Sequence, residues 1–197
     1  MTSGPQTSKA WETRYRNGQT GWDRGGTSAS LGYWLQDDEL SPCRVLIPGC
    51  GRGHEVIELA QHGFDTTALD VAPSAVDHVR TSLAEKQLDG CVEQADVLHW
   101  QPSAPFEAIY EQTCLCALPP SKWEAYERQL HRWLKSGGRL FALFMQTGME
   151  DGPPFHCDLL RMRQLFDSSR WQWPEETPIL TPHRDHLFEL GYILTRR

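Results

Sequence analysis

The sequence lacks the features that mark several protein classes. Its 197 residues contain no apolar run near the roughly 18 residues that cross a bilayer, so we expect no membrane segment. The N-terminal stretch MTSGPQTSKAW has no basic region followed by an apolar core, so we expect no secretory signal and a cytoplasmic protein. The six cysteines include no CxxC pair and are typical of free thiols. His183 and His186 have no acidic or cysteine partner that completes a ligand set, so we expect no metal.

An excess of positive charge is also missing. The formal net charge is −7, whereas a protein that follows nucleic-acid phosphates needs a basic face. We therefore expect a neutral or cationic small molecule as the ligand and no nucleic-acid partner. The length is typical of one domain, and a closed site in a domain of this size is compatible with a monomer.

Strand-like and helix-like segments alternate along the chain. The spacing of apolar residues predicts helices over 54–63, 73–86, 119–138 and 155–166. Seven segments are strand-like: 44–48, 65–71, 91–97, 106–112, 139–145, about 171–180, and 186–195. This alternation predicts an α/β fold with a mostly parallel sheet and helices on both faces. The last two strands have no helix between them, so we expect an antiparallel pair at one end of the sheet.

The run VLIPGCGRGHE, residues 45–55, places a glycine turn at the end of the first strand. Gly49, Gly51 and Gly53 lack side chains, which lets a ligand approach the backbone where a helix begins. Asp70 is predicted to end the second strand, where a carboxylate accepts hydrogen bonds from ribose hydroxyls. Asp96 is predicted to end the third strand, where an acid meets an exocyclic amine. Together these features predict a nucleoside site.

The glycine spacing distinguishes between nucleoside cofactors. A dinucleotide site favours GxGxxG, but residue 54 is a histidine. The GxGxG spacing resembles motif I of S-adenosylmethionine-dependent methyltransferases of the Rossmann-like class I, whose last strand is antiparallel. Five stretches occur in order and resemble the thiopurine S-methyltransferase superfamily, particularly its plant and fungal thiol and halide branch. These stretches are WETRYRNGQTGWDRGG (11–26), LIPGCGRGHEV (47–56), IYEQTCLCALPP (109–120), LKSGGRLFALF (134–144) and GPPF (152–155).

This resemblance implies a role for each candidate residue. It implies that residues 1–30 form a flap over the cofactor, with 31–197 as a single methyltransferase domain. Aromatic faces attract a sulfonium cation and exclude water, which agrees with such a flap. The implied cofactor-binding set is Trp11, Tyr15, Trp22, Gly49, Gly51, Gly53, Asp70, Asp96, the Val97 backbone and Glu111. The alternative for the three aromatics is that they cap the core, and for Glu111 that it is an ordinary strand-end carboxylate.

Gln112 departs from the family pattern. The thiopurine branch has an arginine at this position and plant relatives have a tyrosine, so Gln112 and Trp22 are candidates for contact with the acceptor, and no residue is assigned as catalytic. The expected reaction moves a methyl group in line to a small soft nucleophile: a thiol, hydrosulfide, halide or thiopurine-like compound. The alternatives are a non-catalytic cofactor-binding module and, disfavoured by the glycine spacing, an NAD-dependent oxidoreductase.

Overall fold

The computed structural model describes residues 7–183 and 186–197. Residues 1–6 of the expected flap lie outside this part of the chain. The described residues form two compact units, one that ends at Trp100 and one that begins at Gln101. The division into a flap, 1–30, and a single domain, 31–197, remains a prediction. Among the described residues, no helix has both the length and the apolar character that a membrane crossing requires.

The first unit alternates strands and helices after two short N-terminal helices. Its elements are α1 (Ser8–Arg16), α2 (Ala29–Gln36), β1 (Arg44–Pro48), α3 (His54–Gln61), β2 (Asp65–Asp70), α4 (Pro73–Glu85) and β3 (Cys91–Gln94). The three strands are parallel, with β2 between β3 and β1. Thr7 and Ser28 cap α1 and α2 by accepting hydrogen bonds from backbone amides. The capped helices 8–16 and 29–36 were not expected from the apolar pattern.

The second unit contains the antiparallel end of the predicted topology. Its elements are β4 (Phe106–Gln112), α5 (Trp123–Trp133), β5 (Leu134–Gln146), α6 (Leu159–Leu165), β6 (Trp171–Gln172), β7 (Ile179–Pro182) and β8 (Phe188–Arg196). Strand β5 runs parallel to β4, and β8 runs antiparallel to β5. Strands β6 and β7 both pair antiparallel to β8. The expected antiparallel last strand is therefore confirmed.

Several element boundaries differ from the predicted ones. The expected strand 171–180 is two strands, β6 and β7, separated by a segment that contains Pro174, which has no N–H to donate to a ladder. The expected helix 155–166 is reduced to α6, because Asp158 caps its first turn by accepting a hydrogen bond from Arg161 N at 3.0 Å. The expected strand 91–97 ends at Gln94, so Asp96 lies beyond β3.

A buried carboxylate fixes part of the second unit's core. Glu127 on α5 accepts hydrogen bonds from Trp171 Nε1 at 2.6 Å and from Arg170 Nε at 3.1 Å. Its Oε2 accepts a third hydrogen bond from Arg170 Nη2 at 3.4 Å. Only 4% of Glu127 is exposed, so both its oxygens depend on these donors rather than on water. The contact links α5 to the start of β6.

Candidate active site

The glycine turn follows β1 and leads directly into α3. Gly49, Gly51 and Gly53 have φ angles of 63°, 56° and 72°, a region that residues with a Cβ rarely adopt. A Cβ on Gly53 would lie 2.6 Å from Cγ2 of Val79 on α4, so this position must be a glycine for α3 and α4 to pack. A Cβ on Gly51 would lie 3.2 Å from the Tyr15 hydroxyl. The turn therefore presents bare backbone to the N-terminal aromatics.

Asp70 ends β2, as predicted, and its carboxylate shapes the glycine turn. Its Oδ2 accepts a hydrogen bond from Gly51 N at 3.0 Å, and its Oδ1 accepts one from Ala72 N at 2.9 Å. Burial raises the pKa of Asp70 above its ordinary value, and these amide hydrogen bonds oppose the rise in part. Each carboxylate oxygen has a second lone pair, so the same group can also accept hydrogen bonds from a ligand's hydroxyls.

The three N-terminal aromatics form one cluster beside the glycine turn. Trp22 packs edge to face against Trp11, with ring centroids 5.3 Å apart, and against Tyr15, at 5.5 Å. Tyr15 is buried with Ala72 and Ala75 from the β2–α4 connection, and both tryptophans pack on this group. Burial, and then the charge of Asp70, raise the pKa of Tyr15. The rings of Trp11, Tyr15 and Trp22 thus lie together beside the glycine turn, and Tyr15 packs on the buried residues Ala72 and Ala75.

Helix α1, which carries two of these aromatics, is tied to the start of α4. Glu12 accepts hydrogen bonds from Ser74 N at 3.0 Å and from Ser74 Oγ at 2.7 Å. Ser8 Oγ donates a hydrogen bond to Val71 O at 2.9 Å. The hydrogen bond from the Ser74 backbone is the largest cause that lowers the pKa of Glu12. These contacts fix α1 on the segment that follows Asp70.

Polar contacts also join Asp23, in the GWD stretch at residues 21–23, to the glycine turn and the start of α3. Asp23 Oδ1 lies 2.9 Å from His54 Nε2 and accepts a hydrogen bond from Gly25 N at 2.8 Å. Asp23 Oδ2 lies 3.9 Å from Arg52 Nε. Sequence analysis did not identify Asp23, because its partner lies 31 residues further along the chain with no periodic pattern between them.

Asp96 lies apart from the strand end where it was predicted. It follows β3 by two residues and caps a turn, with Oδ1 accepting a hydrogen bond from Leu98 N at 2.9 Å. Its Oδ2 is 3.0 Å from His99 Nδ1, and 48% of its side chain is exposed. The adjacent Val97 is buried. The last hydrogen bond of the β2–β3 ladder runs from Ala95 N to Asp70 O, and the backbone turns after it.

Glu111 is a buried carboxyl group in β4 of the second unit. Its Oε1 accepts a hydrogen bond from Leu115 N at 2.7 Å. Its Oε2 is buried and has no hydrogen-bond partner among residues 7–183 and 186–197. Burial is the main cause that raises the pKa of Glu111 to about 8, and the negative charge of Glu189 adds to it. The carboxyl group therefore titrates at about pH 8, and its Oε2 lacks a hydrogen-bond partner among the described residues.

Gln112 connects β4 to β8 through its amide. Its Oε1 accepts a hydrogen bond from Tyr110 OH, and its Nε2 donates one to Glu189 Oε2, each at 3.0 Å. Glu189 is fully buried in the middle of the second unit. Sequence analysis did not identify Glu189, which lies 77 residues after Gln112 and is one acidic residue among 26.

Buried thiols surround Glu111. Cys114 and Cys116 follow β4, and Cys157 precedes α6. Burial, and then the charges of nearby thiols and of Glu111, raise the pKa of Cys116. Burial and Glu111 likewise raise the pKa of Cys157. Cys116 and Cys157 are therefore protonated at neutral pH, which agrees with packing rather than nucleophilic roles.

Comparison with known proteins gives a consistent result. A family model described as thiopurine S-methyltransferase matches residues 6–189. A probable thiol methyltransferase of Arabidopsis thaliana is 28% identical over 157 residues, which are 78% of this chain and 69% of the relative. A thiocyanate methyltransferase of the same plant is 27% identical over 187 residues, 92% of this chain and 82% of the relative.

Solved structures show the fold. The magnesium protoporphyrin IX methyltransferase of Synechocystis PCC 6803 superposes with a TM-score of 0.76 at 13% identity and covers 100% of both chains. At this identity the likeness concerns the fold alone. The predicted Rossmann-like α/β methyltransferase fold of class I is confirmed.

Proposed function

Because the chain belongs to the thiopurine S-methyltransferase family, it is an S-adenosylmethionine-dependent methyltransferase, and we propose that its acceptor is a small neutral thiol. The observation that carries this choice of acceptor is the buried carboxyl group of Glu111 with its open oxygen. The cofactor is proposed to bind at the glycine turn, and the acceptor at the carboxyl end of β4.

The residues at the glycine turn fit the cofactor. Bare backbone at Gly49, Gly51 and Gly53 accepts a ligand close by, and Asp70 has lone pairs left for the ribose hydroxyls. The cluster of Trp11, Tyr15 and Trp22 offers aromatic faces to a sulfonium cation. When bound, S-adenosylmethionine supplies an electrophilic methyl group. The proposed adenine contacts are Asp96, which is half exposed, and the Val97 backbone.

The charges at the end of β4 favour a neutral acceptor. Glu111 and Glu189 are both buried carboxyl groups, and the negative charge of Glu189 acts on Glu111. An anion such as thiocyanate or a halide would be repelled at short range by the charge of Glu189, and by Glu111 once that group has ionised. A neutral thiol carries a proton instead, and its pKa of ~8.5 is close to that of Glu111. Glu111 is therefore proposed to take the S–H proton on Oε2, which leaves a nucleophilic thiolate.

Gln112 is proposed to hold Glu189 in place near the acceptor. Both ends of its amide are engaged, one by Tyr110 and one by Glu189. A side-chain amide does not ionise near neutral pH, so Gln112 is proposed to orient its neighbours and to leave proton transfer to Glu111. A contact of Trp22 with the acceptor stays a prediction.

We also propose that the protein acts as a cytoplasmic monomer without a nucleic-acid partner. The net charge of −7 supports the absence of a nucleic-acid partner, since nucleic-acid binding favours a basic surface.

Two measurements test the function. Titration calorimetry with S-adenosylhomocysteine should show binding, while NAD, as the control, should show none; binding of neither would contradict the cofactor site. Methylation of neutral thiols should then exceed methylation of thiocyanate and iodide in kcat/KM. Binding without turnover on any acceptor would instead support a non-catalytic module.

The variant Glu111→Gln tests the choice of acceptor. It removes the proton acceptor and should lower kcat/KM for a neutral thiol by roughly 10²-fold, while activity on thiocyanate is unchanged or increases. Glu107→Gln is the matched control, because Glu107 lies on the same strand but is exposed and paired with Lys135 at 2.8 Å. Equal losses for thiol and thiocyanate in Glu111→Gln would contradict a neutral acceptor.

A further inference from the structure

We propose that Asp23 is a positioning residue whose carboxylate holds Trp22 on the glycine turn and thereby controls how long the cofactor stays bound. The inference rests on the proposed function, because it takes the glycine turn as the cofactor site. It assigns a role to a residue and to a pair of side chains, Asp23 and His54, that the sequence did not single out.

Asp23 contacts one residue inside the glycine turn and one at the start of α3. His54, the first residue of α3, lies 2.9 Å from Asp23 Oδ1, and Arg52, inside the turn, lies 3.9 Å from Oδ2. Burial raises the pKa of Asp23, but hydrogen bonds from Gly25 and His54 and the charge of Arg52 outweigh it, so the net pKa is lowered. Asp23 is therefore ionised at neutral pH and attracts both partners.

Trp22 is fixed by the residue that follows it. Its indole Nε1 lies 3.9 Å from the place of a Cβ on Gly51, and its ring packs against Trp11 and Tyr15. The backbone is folded back here, since Asp23 N donates a hydrogen bond to Thr20 O at 2.9 Å. Because adjacent residues in a tight turn move together, releasing the Asp23 carboxylate would release the Trp22 ring from the turn.

The histidine at residue 54 is explained by the same geometry. Gly53 already provides the close approach of α3 to α4, with Val79 where its Cβ would be. Residue 54 is then free to carry a side chain, and His54 directs its ring nitrogen to Asp23. Residue 54 is the position of the third glycine in a dinucleotide motif. Here it is a histidine, which contacts Asp23 of the N-terminal segment.

A double-mutant cycle tests whether Asp23 acts through Trp22. In the full chain, Asp23→Ala should raise the Kd for S-adenosylhomocysteine about tenfold, in line with loss of a partly exposed charged hydrogen bond, mainly through faster dissociation. Trp22→Ala should also raise the Kd. Adding Asp23→Ala to Trp22→Ala should then change the Kd by less than about twofold, because the positioned group is gone. Additive losses would overturn the proposal.

A control variant and a second readout separate this role from general instability. Asp65→Ala removes a carboxylate paired with Arg44 at 3.7 Å, at the opposite end of β2 from the glycine turn, and should leave the Kd unchanged. In ligand-free protein, Asp23→Ala should speed amide hydrogen exchange in residues 17–27 while α4 keeps its protection; unchanged exchange would contradict the inference. Failure of the wild-type chain to bind S-adenosylhomocysteine would overturn the proposed function, whatever the exchange data show.

Discussion

Replacement of Glu111 by glutamine should change how the stability of the protein depends on pH. The glutamine side chain has nearly the same shape and keeps an oxygen that can accept the hydrogen bond from Leu115 N. It removes the ionisation of a carboxyl group that is only 1% exposed. The groups that face Glu111 are Glu189 on β8, Tyr126 on α5 and the thiols of Cys114, Cys116 and Cys157, and all of them remain in the variant.

The size of the effect follows from the pKa of Glu111. That pKa is about 8 in the folded chain against an ordinary value of 4.5. Below pH 4.5 the group is protonated in both states and folding is not penalised. As pH rises, the unfolded chain releases the proton first, so the free energy of unfolding falls until the folded pKa is passed. The difference between the pKa of 4.5 in the unfolded chain and that of about 8 in the folded chain corresponds to about 5 kcal/mol lost between pH 4.5 and 9.

The assay is urea unfolding of both proteins at pH 5, 6, 7, 8 and 9. The free energy of unfolding of Glu111→Gln, minus that of the wild type, should increase with pH by several kcal/mol and level off above about pH 8. Contributions from Asp70 and from other groups that do not interact with Glu111 cancel in this difference. Parallel pH profiles for the two proteins would refute a strongly raised pKa at Glu111 and, with it, its role as the proton acceptor.

Three further outcomes are expected. Asp70→Ala should weaken S-adenosylhomocysteine binding by at least tenfold in calorimetry, because ribose hydroxyls and the Gly51 amide lose an acceptor; unchanged affinity would exclude Asp70 from the site. Gly53→Ala should lower the free energy of unfolding by about 2–4 kcal/mol through its clash with Val79, whereas Gly63→Ala, with open space, should cost about 1–2 kcal/mol; equal losses would contradict this packing. The kcat/KM for a neutral thiol should rise with pH through about 8 as Glu111 ionises, and a flat profile from pH 6 to 9 would contradict this.

The parts of the fold that depend on local chemistry could be predicted from the sequence. The predicted first strand has the observed bounds, Arg44–Pro48, because its buried apolar run stops at proline and glycine. Asp70 ends β2, one residue before the predicted bound, and its carboxylate accepts hydrogen bonds from Gly51 N and Ala72 N. The end of β3 could not be found from the local pattern. Its pairing with β2 stops after the hydrogen bond from Ala95 N to Asp70 O, which joins two strands that are distant in sequence.

Long-range side-chain pairs were beyond sequence reasoning. Asp23 and His54, like Gln112 and Glu189, are joined across many residues by the way the chain folds. No periodic pattern joins the two members of either pair, so the sequence does not show that they are in contact. The glycine turn could be predicted because three residues within five positions share one property.

The buried cysteines have a consequence for a protein that handles an alkylating cofactor. A methyl donor reacts with thiolates, and the chain itself contains six cysteines that could compete with the acceptor. Burial raises the pKa of Cys116 and Cys157, so these sulfurs keep their protons while an acceptor thiol beside Glu111 loses its own. The same low-dielectric interior that raises the pKa of Glu111 thus keeps the sulfurs of Cys116 and Cys157 in the less nucleophilic, protonated form.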